Sequence, residues 1–227
     1  MPTDERKYRL LQGYERADDV LIQHAQRAQH AGCPVIVVTL DVVSPLKWET
    51  LARLRRIDTR QCGTDLRGVT GITAPNLTWD FITRLRASIK AKIVLKGILT
   101  REDTKLAADN GIDGIIVSNH GGRVIDSGRA TIEVLPEIIE AVGGRMPVLV
   151  DSGFRRGTDI IKALALGAQA VCIGRPYLWG LAAFGQLGVE RVLEILRAEA
   201  RAAMQQVGAP ANKGSYPGGG AAGLRCG

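Results

Sequence analysis

Three observations in the 227-residue sequence predict an α/β fold built on a parallel sheet. Short strands, apolar throughout, alternate with amphipathic helices over residues 92–207. Polar residues collect at the carboxyl end of one strand after another. Glycines and arginines cluster behind the last two strands. Uniformly apolar strands separated by helices mean a sheet covered on both faces, either a doubly wound open sheet or a (β/α)8 barrel. Periodicity does not separate the two. The Gly/Arg clusters favour the barrel, because barrels frequently hold a phosphate in the loops after their last two strands. The expectation is a TIM (β/α)8 barrel, incomplete, with about six strands present.

Taken in order, segment 9–14 is a weak strand candidate, followed by a helix around 17–31 and the buried strand Pro34-Val-Ile-Val-Val-Thr39. Residues 42–75 break the pattern: Pro45, Gly63, Gly68, Gly71 and Pro75 punctuate them, and six basic residues face three acidic ones. An irregular stretch of that length in an α/β domain is usually functional or disordered. Lys92–Lys96 reads as a strand, and Thr100 with Asp103 three residues on caps a helix over 101–110. Gly114–Ser118 is the next strand, and its helix carries Ile132, Leu135, Ile138, Ile139 and Val142 at helical spacing. Strand 147–151, helix 157–166 and strand 170–174 repeat the unit. A long terminal helix places Val189, Val192, Leu193, Leu196, Ala200, Ala203, Met204 and Val207 on one face. The division expected is one barrel domain over 1–207 and a Gly/Ala/Pro-rich disordered tail over 208–227.

Composition removes several classes. No apolar run reaches the ~20 residues of a membrane span. The start, MPTDERKYRL, lacks the apolar stretch of a secretory signal. Four cysteines scattered without a C-x-x-C pair argue against a zinc cage or disulfide framework, so no metal and a cytoplasmic location are expected. The net charge is +7, yet aromatics are only 4% of residues and no basic run is long. Such a pattern fits a solvated surface with one or two anion sites better than a nucleic-acid interface.

The strand ends read Thr39 and Asp41, then Lys96, then Ser118-Asn-His-Gly-Gly-Arg123, then Asp151 with Arg155 and Arg156, then Gly174-Arg175. Each has a bland alternative, such as a helix cap for Asp41 or Asp151, but five strand ends behaving alike build a compact charged site. His120 is the candidate general base, and the Arg123 fork matches a carboxylate. Asp151-Ser-Gly-Phe-Arg-Arg-Gly157 with Gly174-Arg175-Pro176 offers backbone N–H groups near a helix N-terminus and arginine charge, a phosphate cradle. His24 and His30 are surface or packing residues.

The motifs V-L-K-G (94–97), S-N-H-G-G-R (118–123), D-S-G-F-R-R-G (151–157) and I-G-R-P (173–176) together resemble the FMN-dependent α-hydroxy-acid oxidases and dehydrogenases. The likeness is dense over about 76–207 and continues more weakly upstream, in Gln12-Gly-Tyr14 and Thr39-Leu-Asp41. It implies FMN-dependent oxidation of a small 2-hydroxy acid to the 2-oxo acid, with oxygen, a quinone or a cytochrome accepting the electrons. His120 would be the base, Asp41 the carboxylate stabilising its protonated form, Arg123 the ligand of the substrate carboxylate and Tyr14 a hydrogen bond to the reacting oxygen. Lys96 would sit by the flavin N1/O2 edge, with Gln12, Thr39 and Ser118 on the isoalloxazine. Asp151, Gly153, Arg155, Gly174 and Arg175 would hold the ribityl chain and phosphate. The resemblance also suggests a homotetramer. Two departures stand out: only Lys47 lies where the family has a second substrate-binding arginine, and six strands correspond to the family's strands three to eight. The alternative reading is a non-catalytic barrel fragment unable to bind FMN productively.

Overall fold

The computed structural model describes residues 10–13, 18–42, 77–124 and 127–209. Tyr14, Lys47, most of the irregular 42–75 stretch and residues 210–227 lie outside them. Six strands form one sheet: β1 (Leu10–Gly13), β2 (Val35–Thr39), β3 (Lys92–Ile98), β4 (Gly114–Val117), β5 (Val148–Val150) and β6 (Ala170–Val171). They stand in the order β1-β2-β3-β4-β5-β6 and every pair is parallel. A doubly wound sheet reverses its order at a switch point. Here the order never reverses, and right-handed crossovers of one sense put every connecting helix on the same face. The architecture is that of a (β/α)8 barrel, incomplete, with six strands among the described residues.

The connecting helices are α1 (Asp18–His30), α2 (Trp79–Ser88), α3 (Arg101–Asp109), α4 (Thr131–Val142) and α5 (Gly157–Ala165). Their starts follow local chemistry. Thr78 Oγ1 accepts from Phe81 N, and Thr100 Oγ1 accepts from Asp103 N, so short side chains satisfy N–H groups that the helix leaves open. Alternate strand residues Ile36, Val38, Ile93, Leu95, Ile115, Val117, Val148 and Val150 are all at most 1% exposed. They join Leu21, Phe81, Leu85, Leu135 and Ile138 from the helices in one core. Residues of the other parity, such as Val37 and Ile116, belong to the barrel interior and stay outside that cluster.

Differences from the sequence reading have local causes. The sequence patterning predicts no helix at α2, whose short stripe of Phe81, Ile82 and Leu85 stands directly after the irregular stretch. β6 ends at Val171 rather than 174, although Cys172 N still donates to Val150 O. The terminal helix, α6 (Arg175–Gln206), begins well before 189 and is interrupted at Phe184 and Gly185. Gly180 lies against Gly188, where an added Cβ would stand 2.4 Å from the Gly188 carbonyl oxygen. Eight residues of straight helix span about 12 Å, so the two segments fold back on one another. Leu193 and Val207, read as part of its apolar face, are 50% and 59% exposed.

Candidate active site

Strand parity aims the site inward. Side chains alternate faces along a strand, so Thr39, Lys96, Ser118 and Asp151 continue the interior series begun by Val37, Val94, Ile116 and Leu149. Each stands at or just past the carboxyl end of its strand, and neighbouring strands bring them side by side: Thr39 pairs with Lys96 in the β2–β3 register. Lys96 Nζ donates to Ser118 Oγ at 2.9 Å and lies 3.5 Å from Asp151 Oδ2, with the Lys96 and Asp151 side chains only 13% and 17% exposed. Ser118 is itself buried. Its oxygen also accepts from His120 N, so it is an internal post between the lysine and the histidine turn.

His120 opens a single turn of 3-10 helix, His120–Gly122, with φ of +56°. Its Nδ1 is 3.0 Å from Asp41 Oδ1. A carboxylate only accepts, so in the neutral ring Nδ1 carries the hydrogen and Nε2 the lone pair. Both side chains are mostly buried, and Asp41 Oδ2 is a buried oxygen with no hydrogen-bond partner among the described residues. The approach of Asp41 depends on Gly97. β3 shifts register between Lys96 and Ile98, Gly97 has φ of +111°, and a Cβ there would sit 2.8 Å from Asp41 Cβ. Arg123 stands exposed on the rim, its Nε donating to the His120 carbonyl.

Asp151 ties this group to the loop after β5. Ser152 Oγ donates to Asp151 Oδ1 at 2.6 Å and accepts from Gly121 N at 2.9 Å. Ser152 holds φ of +74°, an uncommon conformation for a residue with a Cβ. Thr131 Oγ1 donates to the Asp151 carbonyl. Cys172 lies near the same pair. Burial pushes its thiol up, Asp151's negative charge adds to that and Lys96 offsets part, so it stays a protonated bystander. Gly97, Ser152 and Thr131 lay inside or beside the sequence motifs, yet nothing in the sequence assigned them roles.

Within the expected phosphate cradle, part of the backbone is already engaged. The backbone N–H groups of Arg155 and Arg156 both donate to Asp159 Oδ2, and Gly157 N donates to Glu199 Oε2. These three amides at the start of α5 are thus taken by carboxylates and do not serve an anion. The open helix start is α6, where Gly174 is the N-cap and provides no side-chain bond. Arg175 stands there with Nη2 donating to Gly121 O, and an added Cβ on Gly121 would come within 3.0 Å of that nitrogen. Arg156 pairs with Glu199. Among the described residues neither Arg155 nor Arg175 is in an ion pair with a carboxylate, so both charges remain for an anion. A cleft of about 440 Å³ opens between Gly121, Ser152, Gly153, Phe154 and Arg175.

These residues fit a flavin mononucleotide: two uncompensated arginines at an uncapped helix start suit its phosphate, and Lys96 in the interior suits a ring that gains negative charge. Gln12 falls on β1, and no side-chain contact is described for it. Thr39 is buried beside Lys96.

Residues 4–215 match the family model described as FMN-dependent dehydrogenase. The chain is 44% identical over 203 residues to 2-hydroxyacid oxidase 1 of Mus musculus, covering 80% of this chain and 55% of that protein. It is 53% identical over 134 residues to an L-lactate oxidase of Nostoc sp., covering 59% of this chain and 37% of that protein. A crystal structure of mandelate oxidase superposes with a TM-score of 0.74 at 41% identity, over 86% of this chain and 58% of that one. A mandelate oxidase variant carrying a monooxide FMN adduct superposes at 0.71 and 40% identity, over 88% of this chain and 58% of that one. The chain therefore spans less than two thirds of the length of each of these relatives.

Proposed function

The chain belongs to the FMN-dependent dehydrogenase family, and from that membership we propose that it oxidises a small 2-hydroxy acid to the 2-oxo acid with FMN as cofactor. The observation that carries this reading is the His120–Asp41 pair, held at 3.0 Å beside the mostly buried Lys96 side chain. FMN, when bound, supplies the two-electron acceptor. His120 Nε2 takes the substrate proton, and Asp41 stabilises the imidazolium that results. Arg123, on the rim three residues away, receives the substrate carboxylate in its planar fork. Lys96 would offer a fixed positive charge to the ring of bound FMN, a preorganised stabilisation of the charge it gains. Arg175, Arg155 and the start of α6 bind the phosphate.

Molecular oxygen is the acceptor we favour, because relatives at 44% and 53% identity are named oxidases. Tyr14 and Gln12 complete the proposal as substrate and flavin contacts, on their resemblance alone. A homo-oligomer is proposed on the same footing, and a cytoplasmic location on the cysteine usage, with which the free thiols of Cys33 and Cys172 are in keeping. The test is spectroscopic. The purified chain, loaded with FMN and freed of oxygen, should lose its flavin absorbance on addition of glycolate, L-lactate or (S)-mandelate and regain it in air. Bound flavin left unbleached by all three acids would refute the proposed reaction.

A further inference from the structure

Arg155 and Arg156 are neighbours with opposite fates. Arg156 Nη1 donates to Glu199 Oε1 at 3.0 Å, so its charge is neutralised in the α5–α6 contact. The Arg155 guanidinium is in no ion pair with a carboxylate among the described residues. It lies over the Trp179 ring, 4.9 Å from the centroid, and one nitrogen donates to the carbonyl of Phe154. Trp179 is 57% exposed, so core packing does not account for where its ring stands. It follows Arg175 by four residues on α6, which places both on one face of the helix, one turn beyond the uncapped start.

The choice of partner matters. A carboxylate would occupy the edge of the guanidinium and cancel its charge. An aromatic ring binds the flat face of the cation, and the donors in its plane stay available. We propose that Trp179 is a positioning residue of the phosphate site, holding Arg155 by its face so that its edge and its charge remain directed to the phosphate of FMN. This rests on the FMN reading above and adds a determinant to it. It also explains the division of labour in Arg155-Arg156: the ring keeps one arginine in reserve for the ligand, and Glu199 takes the other for the fold.

The experiment compares two ligands on the flavin-free full chain: FMN and riboflavin, which lacks the phosphate. Affinities are read from the quenching of flavin fluorescence. Trp179→Leu should weaken FMN by about 5–30-fold, the scale of a partly desolvated cation–π contact, and leave riboflavin within about twofold. Trp179→Tyr should restore most of the loss. In Arg155→Gln, adding Trp179→Leu should bring little further loss, because the two act as a unit. Equal weakening of both ligands would make the ring a support of the fold and overturn the proposal, as would unchanged FMN affinity. A parent chain that binds FMN no more tightly than riboflavin would bring down the phosphate reading and the proposal with it. If the parent prefers FMN and Arg175→Ala removes that preference while Trp179→Leu does not, the phosphate site stands and only the role of Trp179 falls.

Discussion

His120 is held from three directions, and none of the holds uses Nε2. Nδ1 is tied to Asp41, the backbone N–H to Ser118 Oγ and the carbonyl to Arg123 Nε. A histidine at φ of +56° stores roughly 1–3 kcal/mol of backbone strain, which these bonds offset. The geometry leaves one ring nitrogen for chemistry. His120→Gln should therefore keep FMN bound while anaerobic flavin reduction by substrate slows by about 100–10,000-fold, the usual worth of a positioned base. Stopped-flow absorbance checks this, and reduction at the parent rate would take the base assignment from His120. The motif residues His120, Asp41, Lys96 and Asp151 were legible in the sequence because each ends a strand and the parallel order brings strand ends together. Gly97 and Ser152 were not. The need for a missing Cβ at 97 exists only once the register sets Asp41 2.8 Å from where that carbon would be.

At the scale of elements, the joint between α5 and α6 decides which backbone amides remain for a ligand. Glu199, far along α6, accepts from Gly157 N and from Arg156. The two helices come so close that a Cβ on Gly157 would stand 2.0 Å from Ala200 N. That hydrogen bond from Gly157, with the Arg156 bond and charge beside it, holds the Glu199 carboxyl below its ordinary range. A group whose pKa is lowered on folding contributes stability above its unfolded pKa, and the contribution is lost as pH falls through the folded value. Glu199→Gln should accordingly melt below the parent at neutral pH. The gap in Tm should close as both proteins are taken below the carboxylate range, and thermal melts at stepped pH measure it. A gap independent of pH would mean that packing, not the ionised carboxylate, is what Glu199 supplies. The repeating units over 92–171 were legible because strand and helix periods alternate cleanly. The α5–α6 joint was not, since it links residues 42 apart and forms only after α6 has doubled back at Phe184 and Gly185.

The whole molecule has one face unlike the others. Strands β2 to β5 are each paired on both sides, whereas among the described residues β1 and β6 have one neighbour apiece. An unpaired strand edge recruits other chains unless it is short or covered. β6, only two residues long, presents little edge. The segment that follows it presents something else: around the bend of α6, Leu178, Leu181, Phe184 and Leu187 are 46%, 50%, 78% and 74% exposed. Four large apolar side chains over ten residues of sequence are more than the scattered exposure a monomer tolerates, and such patches mark contact surfaces. Apolar contacts of this kind are not screened by salt, whereas contacts between charges weaken within a Debye length of about 8 Å at physiological ionic strength. We therefore expect the 227-residue chain to self-associate at micromolar concentration through this end of the barrel, with an association that persists at high salt. Replacing Phe184 with Glu and Leu187 with Lys, neither of which lines the cleft beside Arg175, should shift the distribution to monomer and leave flavin binding in place. Sedimentation velocity across a concentration series, at low and high salt, distinguishes the outcomes. A parent chain that stays at 24.4 kDa throughout would show that these side chains are tolerated in water, and an association abolished by salt would assign it to the basic surface instead.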